Sequence, residues 1–484
     1  MTLIRTLRVA MAMNSVKDRE ANNMSAIYQT EFDQDNGISA ITETLGGSDV
    51  TQIFVHSVTS LENIAEIAPT AQVYPERSVL FARSDDLVCV SKRVDEQYLR
   101  FLYSFGIGPR NENIIVASEN THRDSLMSLS DLLMSNDKAL SSIRRLIKQD
   151  KKIVLNPFIA TPKEFELAST LETAVGKKVH LLGNPNVVDY ANHKHNVKVK
   201  AIELGVPVSE GDIIELDLGK DGKPLDLAPI RVTINKYIHK TGKVIIRGFY
   251  GASGSSLFIV ENNPQSIEKA LSDIADRTSN RIYLVEVMLK LIASPNIMMH
   301  IEPGNGRILC VSVTDQILSD NLMHKGNVCP SSAKTLKEMI DSTRIMSKWL
   351  QSEGYGGLVG FDFGEYFNSK TGEVEHFLSE INPRVNAAVY PKSMIECLNR
   401  KQGLKGRPYI EAFLSAKIKT RARSFAELNE SYGRLFFTPE TGKGLVPYNI
   451  GWLEHGKFNL AVFGKSRDEV IKMYEDFKAL LAKE

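Results

Sequence analysis

The sequence has no excess of charge of either sign and few cysteines. Its 484 residues include 59 lysine and arginine residues against 58 aspartate and glutamate residues, so no global field favours nucleic acid or an anionic membrane as a partner. The four cysteines have no metal-ligand spacing, and a disulfide framework is not expected in so long a chain. We interpret them as thiols of a reducing compartment and predict a cytoplasmic protein.

Long apolar runs, repeats and low-complexity tracts are also missing. Residues 2–13 are too short to span a membrane and too often interrupted by arginine to form the apolar region of a secretory signal, and we predict that they form a strand ending at Asn14. No G-x-G-x-x-G motif follows a predicted strand, which argues against a dinucleotide site. The length predicts about three domains.

The first 190 residues alternate short apolar runs with helical patterns, which predicts a parallel α/β sheet. The candidate strands are Ile53–Ser57, Ser78–Phe81, Leu87–Val90, Ile114–Ala117, Ile153–Leu155 and Val179–Leu182. The helical segments include Leu126–Leu133 and Leu140–Ile147. Asn184–Asp189 is rich in turn-forming residues and predicts a break before the next domain.

Residues Gly357–Pro391 contain the pattern around which the rest of the chain is organised. The runs Leu358–Phe367 and Val374–Asn382 flank a loop that we place at Ser369–Glu373, which is typical of a β-hairpin. Because side chains alternate along a strand, one face is expected to point toward the core. That face comprises Phe361, Phe363, Phe377 and Ile381.

The other face of this hairpin is polar. It comprises Asp362, Glu380, Asn382 and Arg384, and the register places Asp362 opposite Glu380. Opposed like charges destabilise a ladder, so this pair predicts a hard cation between the strands, and oxygen ligands suit Mg²⁺. The alternative is the solvated polar face of an ordinary hairpin.

A loop of small residues, Gly251–Ser256, interrupts the apolar run 244–260. With no bulky side chain over six positions, its backbone N–H groups can fold over phosphate oxygens. A flexible hairpin turn is the alternative. Arg247 lies on the strand before this loop, and Glu286 is the one acid in the apolar strand Ile282–Leu289.

The remaining elements are predicted from periodicity. Strands are expected at Asn296–His300, Arg307–Val313, Thr314–Leu318, Gly433–Phe437 and Phe458–Phe463. Helices are expected at Ala333–Leu350, capped by Ser331 or Ser332, and at Ser466–Leu481, capped by Ser466.

The order of these features resembles the ATP-grasp superfamily, which includes biotin carboxylase and D-alanine–D-alanine ligase. G-x-x-G-x-D ending at Asp362 and E-x-N-x-R ending at Arg384 are similar to the family's metal-binding hairpin. A helix that starts near Lys194 and ends in Gly205-Val206-Pro207 is similar to the family's lysine-led helix. The resemblance covers residues 190–391.

This resemblance implies an α/β (α+β) fold with three parts. Residues 1–190 would form a Rossmann-like pre-ATP-grasp domain. Residues 191–395 would form the ATP-grasp core, with a lid subdomain at about 206–284 and the metal hairpin at 357–391. Residues 396–484 would form a small C-terminal α/β unit.

The resemblance also implies roles for individual residues. Asp362, Glu380 and Asn382 would hold Mg²⁺, and Arg384 would act catalytically at the transferred phosphate. The ATP-binding residues would be Lys194, Arg247, Gly251, Ala252, Ser253, Gly254, Ser255, Glu286 and Met288, and the substrate residues would be Asn386 and Tyr390. Arg247 departs from the family, which usually has lysine there. In the alternative, Lys194 is a solvated lysine and Glu286 has a salt-bridge partner.

The implied activity is that of an ATP-dependent carboxylate–amine ligase, which forms an amide or peptide bond through an acyl phosphate with ATP and Mg²⁺ as cofactors. The architecture is most similar to the pheganomycin-type peptide ligases. The expected partners are a small carboxylic acid and an amine, such as amino acids or a peptide, and a homodimer is left open. Features typical of biotin-dependent carboxylases and purine-pathway ligases are not recognised. An ATP-grasp phosphotransferase and a nucleotide-binding protein without turnover are the alternatives.

Overall fold

The computed structural model describes residues 38–60, 71–118, 127–248, 257–277, 280–402 and 410–483. Within these ranges the strands form sheets of five, four and nine strands. None of the helices in the same ranges has the length and apolar character that a membrane span requires. The predicted strand at 2–14 and the small-residue loop at 251–256 lie outside the described residues.

The N-terminal domain is built on the predicted parallel sheet, with strand order β3-β2-β1-β4-β5. Its strands are β1 (Val50–Val55), β2 (Leu87–Val90), β3 (Ile114–Val116), β4 (Lys152–Pro157) and β5 (Val179–Leu181). Its helices are α1 (Glu96–Ser104), α2 (Leu129–Met134), α3 (Asp137–Leu146) and α4 (Pro162–Val175). Because the chain leaves β1 toward β2 and β3 and returns on its other side at β4, the carboxyl ends of β1 and β4 lie side by side.

Two predictions in this part of the chain are wrong. Ser78–Phe81 belongs to a 3-10 helix, Tyr74–Leu80, because Pro75 has no N–H to give to a ladder and β1 already has neighbours on both sides. Asn184–Asp189 starts helix α5 (Pro185–Asn192) rather than a break. Its turn-forming residues are the helix start, where Asn184 accepts a hydrogen bond from the N–H of Asn186.

A four-stranded antiparallel sheet with order β6-β9-β7-β8 follows helix α6 (Lys194–Glu203). Its strands are β6 (Gly211–Glu215), β7 (Lys243–Gly248), β8 (Leu257–Glu261) and β9 (Ile282–Val287). Helices α7 (Ala228–Thr241) and α8 (Pro264–Ala275) pack on it around a core that includes Ile234, Val244 and Ile274. The two strands predicted within 244–260 are confirmed, and they pair as β7 and β8.

The nine-stranded sheet contains the hairpin and the C-terminal strands together. Its path is β10-β14-β11-β12-β13-β16-β18-β17, with β15 paired to β14. The strands are β10 (Leu291–Ala293), β11 (Pro295–Ile301), β12 (Ile308–Leu318), β13 (His324–Cys329), β14 (Gly357–Asn368), β15 (Glu373–Asn382), β16 (Ala412–Lys419), β17 (Gly444–Tyr448) and β18 (Lys457–Gly464). The helices are α9 (Leu336–Ser352), α10 (Val389–Gln402), α11 (Phe425–Tyr432) and α12 (Arg467–Leu481). Because β13 pairs with β16, the sheet runs on past the predicted boundary at residue 396.

The predicted strands Arg307–Val313 and Thr314–Leu318 form the single strand β12, because its ladder with β11 continues through both. The region predicted as a strand at Gly433–Phe437 starts with a 3-10 helix that continues from α11, and β16 and β17 were not predicted.

The two predicted serine caps have different outcomes. Ser466 accepts a hydrogen bond from the N–H of Glu469 at 3.2 Å, so the cap of α12 is confirmed. Ser331 and Ser332 do not cap α9, because their hydroxyl groups donate to Asp315.

Candidate active site

The hairpin of β14 and β15 contains a β-bulge that sets the register of the predicted site. The predicted loop is one residue too long, because Glu373 already pairs with Asn368. Ser379 is then an extra residue on β15, and the ladder shifts by one position there. The shift compensates for the shorter loop, so the predicted pairing of Asp362 with Glu380 is confirmed.

The same bulge changes which side chains reach the core. Phe361, Phe363 and Ile381 are buried as predicted, but Phe377 is only half-buried. Leu378 is opposite Phe363 and takes the buried position. The prediction for Phe377 is wrong because strict alternation fails across an inserted residue.

Asparagine side chains surround the carboxylate pair. The Asn382 amide nitrogen donates to Asp362 Oδ2 at 2.9 Å and to Glu380 Oε1 at 3.1 Å. Asn296 donates to Asp362 Oδ1 at 2.5 Å, and Asn386 donates to the Asn296 oxygen at 2.6 Å. Asn386, predicted as a substrate residue, is therefore connected to Asp362 through Asn296. The role of Asn296 was missed in the sequence, although β11 was predicted to start there.

The two carboxyl groups have different electrostatic surroundings. Burial and the repulsion of Glu380 raise the pKa of Asp362 above its ordinary value. Burial opposes the ionisation of Glu380 as well, but Lys194 and Arg247 outweigh it and lower the pKa of Glu380. Lys194, the first residue of α6, places Nζ 3.1 Å from Glu380 Oε2. The lysine at the start of the GVP helix therefore faces the hairpin.

Asp362 and Glu380 are suitable ligands for Mg²⁺, but two carboxylates alone do not fill its coordination sphere. The described part of the chain holds no group of three or more His, Cys, Asp or Glu side chains arranged for a metal ion. Mg²⁺ is commonly held by one or two carboxylates together with substrate phosphates, which is what Asp362 and Glu380 can offer. In this structure Asn382 turns its nitrogen toward both carboxylates and its oxygen toward Arg384, so it would have to rotate about χ2 to become a ligand.

The segment after the hairpin places Arg384 beside the pair and Tyr390 in the interior. The Arg384 Nη2 donates to the Asn382 oxygen at 2.7 Å. Tyr390 is completely buried, and its hydroxyl lies 2.9 Å from His56 Nδ1 in the N-terminal domain. The predicted contact between Tyr390 and a substrate stays a prediction.

A second charged cluster, formed by Glu286, Arg247, Lys198 and Ser209, lies buried behind Glu380. Glu286 is 1% exposed and accepts from Arg247 Nε at 2.9 Å, from Lys198 Nζ at 2.6 Å and from Ser209 Oγ at 2.5 Å. Burial would raise the pKa of Glu286, but Arg247 and Lys198 overcome that effect and lower it to about 2. Of the two interpretations of Glu286, the structure therefore shows the one in which Glu286 has salt-bridge partners. The sequence signal for Lys198 was its position four residues after Lys194, which puts both on one helix face.

Arg247 connects the four-stranded sheet to the bulge of the hairpin. Its Nη1 donates to the Ser379 carbonyl at 2.9 Å and to the Ser379 hydroxyl at 3.1 Å. The N–H of Met288, predicted as a contact for ATP, donates to the Lys243 carbonyl at 3.2 Å. The contacts predicted between ATP and Arg247, Glu286 and Met288 therefore stay predictions.

Known proteins share this architecture at low sequence identity. Residues 75–173 match the family described as the Pre ATP-grasp domain, and no curated protein matches the chain. A Staphylococcus aureus N5-carboxyaminoimidazole synthetase complexed with ADP is 11% identical, over 90% of this chain and 98% of that one, with a TM-score of 0.50. A Campylobacter jejuni biotin carboxylase in a β-γ-ATP complex is 13% identical, over 87% of this chain and 89% of that one, with a TM-score of 0.50.

The chain has an ATP-grasp-like fold. The predicted α/β class is confirmed, and the Pre ATP-grasp match lies within the predicted N-terminal domain. At 10–13% identity the ATP-grasp structures show the architecture alone. The peptide-ligase likeness, the domain boundaries and the individual ATP contacts stay predictions.

Proposed function

We propose that this protein is an ATP-dependent ligase that joins a carboxylic acid to an amine. The proposal rests on one arrangement in the ATP-grasp fold. Asp362 and Glu380 oppose each other across the hairpin, while Lys194 and Arg384 bring positive charge to the same place. Paired carboxylates flanked by cations suit the binding of a metal–nucleotide complex.

The chemistry follows from the poor leaving group of a carboxylate. An oxygen of the acid attacks the γ-phosphorus of ATP, the bond to the β–γ bridging oxygen breaks, and ADP leaves. The amine nitrogen then attacks the acyl carbon, phosphate leaves with the C–O bond electrons, and the nitrogen loses a proton. The products are an amide, ADP and phosphate.

The residues of the chain would stabilise the charge that moves in these steps. Arg384, which lies beside the carboxylate pair, would bind the transferred phosphoryl oxygens and then the tetrahedral oxyanion. Lys194 would bind ATP phosphates once Glu380 has another cationic partner. Bound Mg²⁺ would neutralise charge on the phosphates, held by Asp362 and Glu380 with Asn382.

As acid and amine we propose amino acids or a peptide, because of the architectural likeness to pheganomycin-type ligases. The test is a screen for ADP release with carboxylic acids, each with and without an amino-acid mixture. We expect ADP release that needs both an acid and an amine. Hydroxylamine in place of the amine should yield a hydroxamate, because it traps an acyl phosphate. Stoichiometric ADP with a stable phosphorylated product and no hydroxamate would indicate a phosphotransferase instead.

Arg247 provides a test of the nucleotide site. Arg247→Ala is expected to weaken ATP binding about ten- to a hundredfold, the loss typical of a charged hydrogen bond. Arg247→Lys should recover only part, because a single ammonium group cannot bridge two acceptors as a guanidinium does. Calorimetric ATP titration measures both. Arg281→Ala removes a surface arginine of the same sheet and serves as control. If Arg247→Ala binds ATP as tightly as wild type does, Arg247 has no role in ATP binding, and its function is confined to its structural contacts with Glu286 and Ser379.

A further inference from the structure

Arg77 of the N-terminal domain is a buried cation that forms no ion pair with any of the described residues. It is 6% exposed, and its Nε and Nη2 atoms are completely buried. Neither atom has a hydrogen-bond partner, and no carboxylate of the described residues forms an ion pair with the side chain. Buried charges in folded proteins are normally paired. An unpaired guanidinium therefore indicates that its partner is not among the described residues, and a bound ligand would supply one.

Aromatic rings hold this guanidinium in place. Its central carbon lies 4.4 Å from the ring centroid of Phe158, 4.5 Å from that of Tyr74 and 4.9 Å from that of Tyr390. Cation–π contacts stabilise the charge but leave its N–H groups free to donate. The neighbouring Glu76 does not neutralise it, because its carboxyl accepts from the Gly451 N–H at 2.8 Å and burial raises its pKa to about 8.

The location of Arg77, against Phe158 at the end of β4 in the parallel sheet, also points to a ligand. Val55 and Pro157 are paired at the carboxyl ends of β1 and β4, and the residues that follow them are His56 and Phe158. The order β3-β2-β1-β4-β5 reverses between these two strands. Open α/β sheets bind ligands outside the carboxyl ends of the strands at such a reversal.

The same place adjoins the candidate active site. Arg384 lies over the Phe158 ring as well, with its central carbon 5.6 Å from the centroid. The Val385 N–H donates to the Phe158 carbonyl at 3.0 Å, which ties the two segments together. A cavity of about 20 Å³ lies between these two segments, and it is lined by Asn156, Phe158 and Arg384 but not by Arg77, which lies against the Phe158 ring. It has room for about one water molecule or one oxygen of a ligand.

We propose that Arg77, together with Arg384, binds the carboxylate of the acid substrate at the junction of the N-terminal domain and the hairpin. This deepens the proposed ligase function and rests on it. A guanidinium donates two parallel hydrogen bonds to a carboxylate, and the free Nε and Nη2 of Arg77 form one such edge. The N-terminal domain thereby contributes a specificity-determining residue to the active site.

The test is a calorimetric titration with sodium succinate at ionic strength held constant with sodium chloride. Wild-type protein is expected to bind succinate, and Arg77→Met to bind it at least about tenfold more weakly, since a charge-assisted bidentate contact is lost. Arg77→Lys should fall between them, because it keeps the charge and loses the fork. Arg100→Met, which removes an exposed arginine of the same domain, should bind succinate as wild type does.

Thermal unfolding separates this role from a structural one. If Arg77 serves the ligand, Arg77→Met should unfold at the same or a higher temperature, because an unpaired buried charge is removed. Equal succinate affinity in wild type and Arg77→Met, or no succinate binding by wild type, overturns the proposal. If Arg77→Met fails to fold, the comparison of wild type with Arg77→Lys decides. A separate MgADP titration of the wild type tests the ligase proposal. If MgADP does not bind, the ligase proposal fails, but the succinate titrations still test the role of Arg77.

Discussion

Glu380→Gln is expected to lower the rate of ADP formation by about a hundredfold or more, the scale of losing one strong electrostatic contact at a reacting phosphate. The substitution removes one carboxylate of the opposed pair and leaves Lys194 without its 3.1 Å partner. The rate is measured as ADP release with an acid and amine identified by the screen. Relief of the repulsion with Asp362 offsets the lost ion pair, so the free energy of unfolding should stay within about 1 kcal/mol of wild type.

The control for this prediction is Glu373→Gln, at the exposed end of the same strand. It changes charge and composition identically but lies away from Asp362, so its ADP release should equal that of wild type. A wild-type rate in folded Glu380→Gln would contradict the metal and phosphate role of the pair. Glu380→Gln should also lower the pKa of Asp362, because repulsion by the Glu380 carboxylate helps to raise that pKa in the wild type.

Glu286→Gln is expected to lower the free energy of unfolding by about 3–5 kcal/mol, the range for removing one partner of a buried ion pair. The carboxylate of Glu286 balances both Arg247 and Lys198 in the interior. A neutral amide would leave two buried cations without their shared carboxylate, and only Arg247 would keep a second one nearby, that of Glu380. Denaturant unfolding measures the change. Glu215→Gln, in an exposed pair with Arg281, should cost less than about 1 kcal/mol.

The stability provided by Glu286 should depend on pH with a defined sign. Its folded-state pKa of about 2 lies below the ordinary 4.5, so the folded protein favours the ionised form. The stabilisation is fully present above about pH 4.5 and is lost as the pH falls from there toward 2. The difference in unfolding free energy between wild type and Glu286→Gln should therefore shrink over that interval. A constant difference would mean that the ionised carboxylate is not the source of the effect.

The hairpin was predictable because its pattern is local. Two apolar runs, a turn between them and polar residues at alternate positions are all contained in Gly357–Asn382, and they place Asp362 opposite Glu380. The bulge at Ser379 was not predictable from the same pattern. It contacts Arg247, more than a hundred residues away in the sequence, and the register shift at the bulge is what buries Leu378 rather than Phe377.

Contacts between distant segments account for the other misses. Lys198 looks like a solvated lysine in a basic run, but it is buried where Glu286 of the four-stranded sheet lies against helix α6. Arg77 directly precedes Ser78–Phe81, which was predicted as a strand, and its aromatic neighbours come from three separate stretches of chain. Periodicity identifies elements, whereas the pairing of buried charges depends on how those elements meet.

The pairing of β13 with β16 has a consequence for dissecting this protein. Cutting the chain near residue 402 would remove β16, β17 and β18 and leave the N–H and C=O groups of β13 unpaired along that side. A bare strand of this kind recruits other chains and promotes aggregation. Truncated forms would thus lose solubility before they reported on catalysis. The last eighty or so residues are better probed by point substitutions than by deletion.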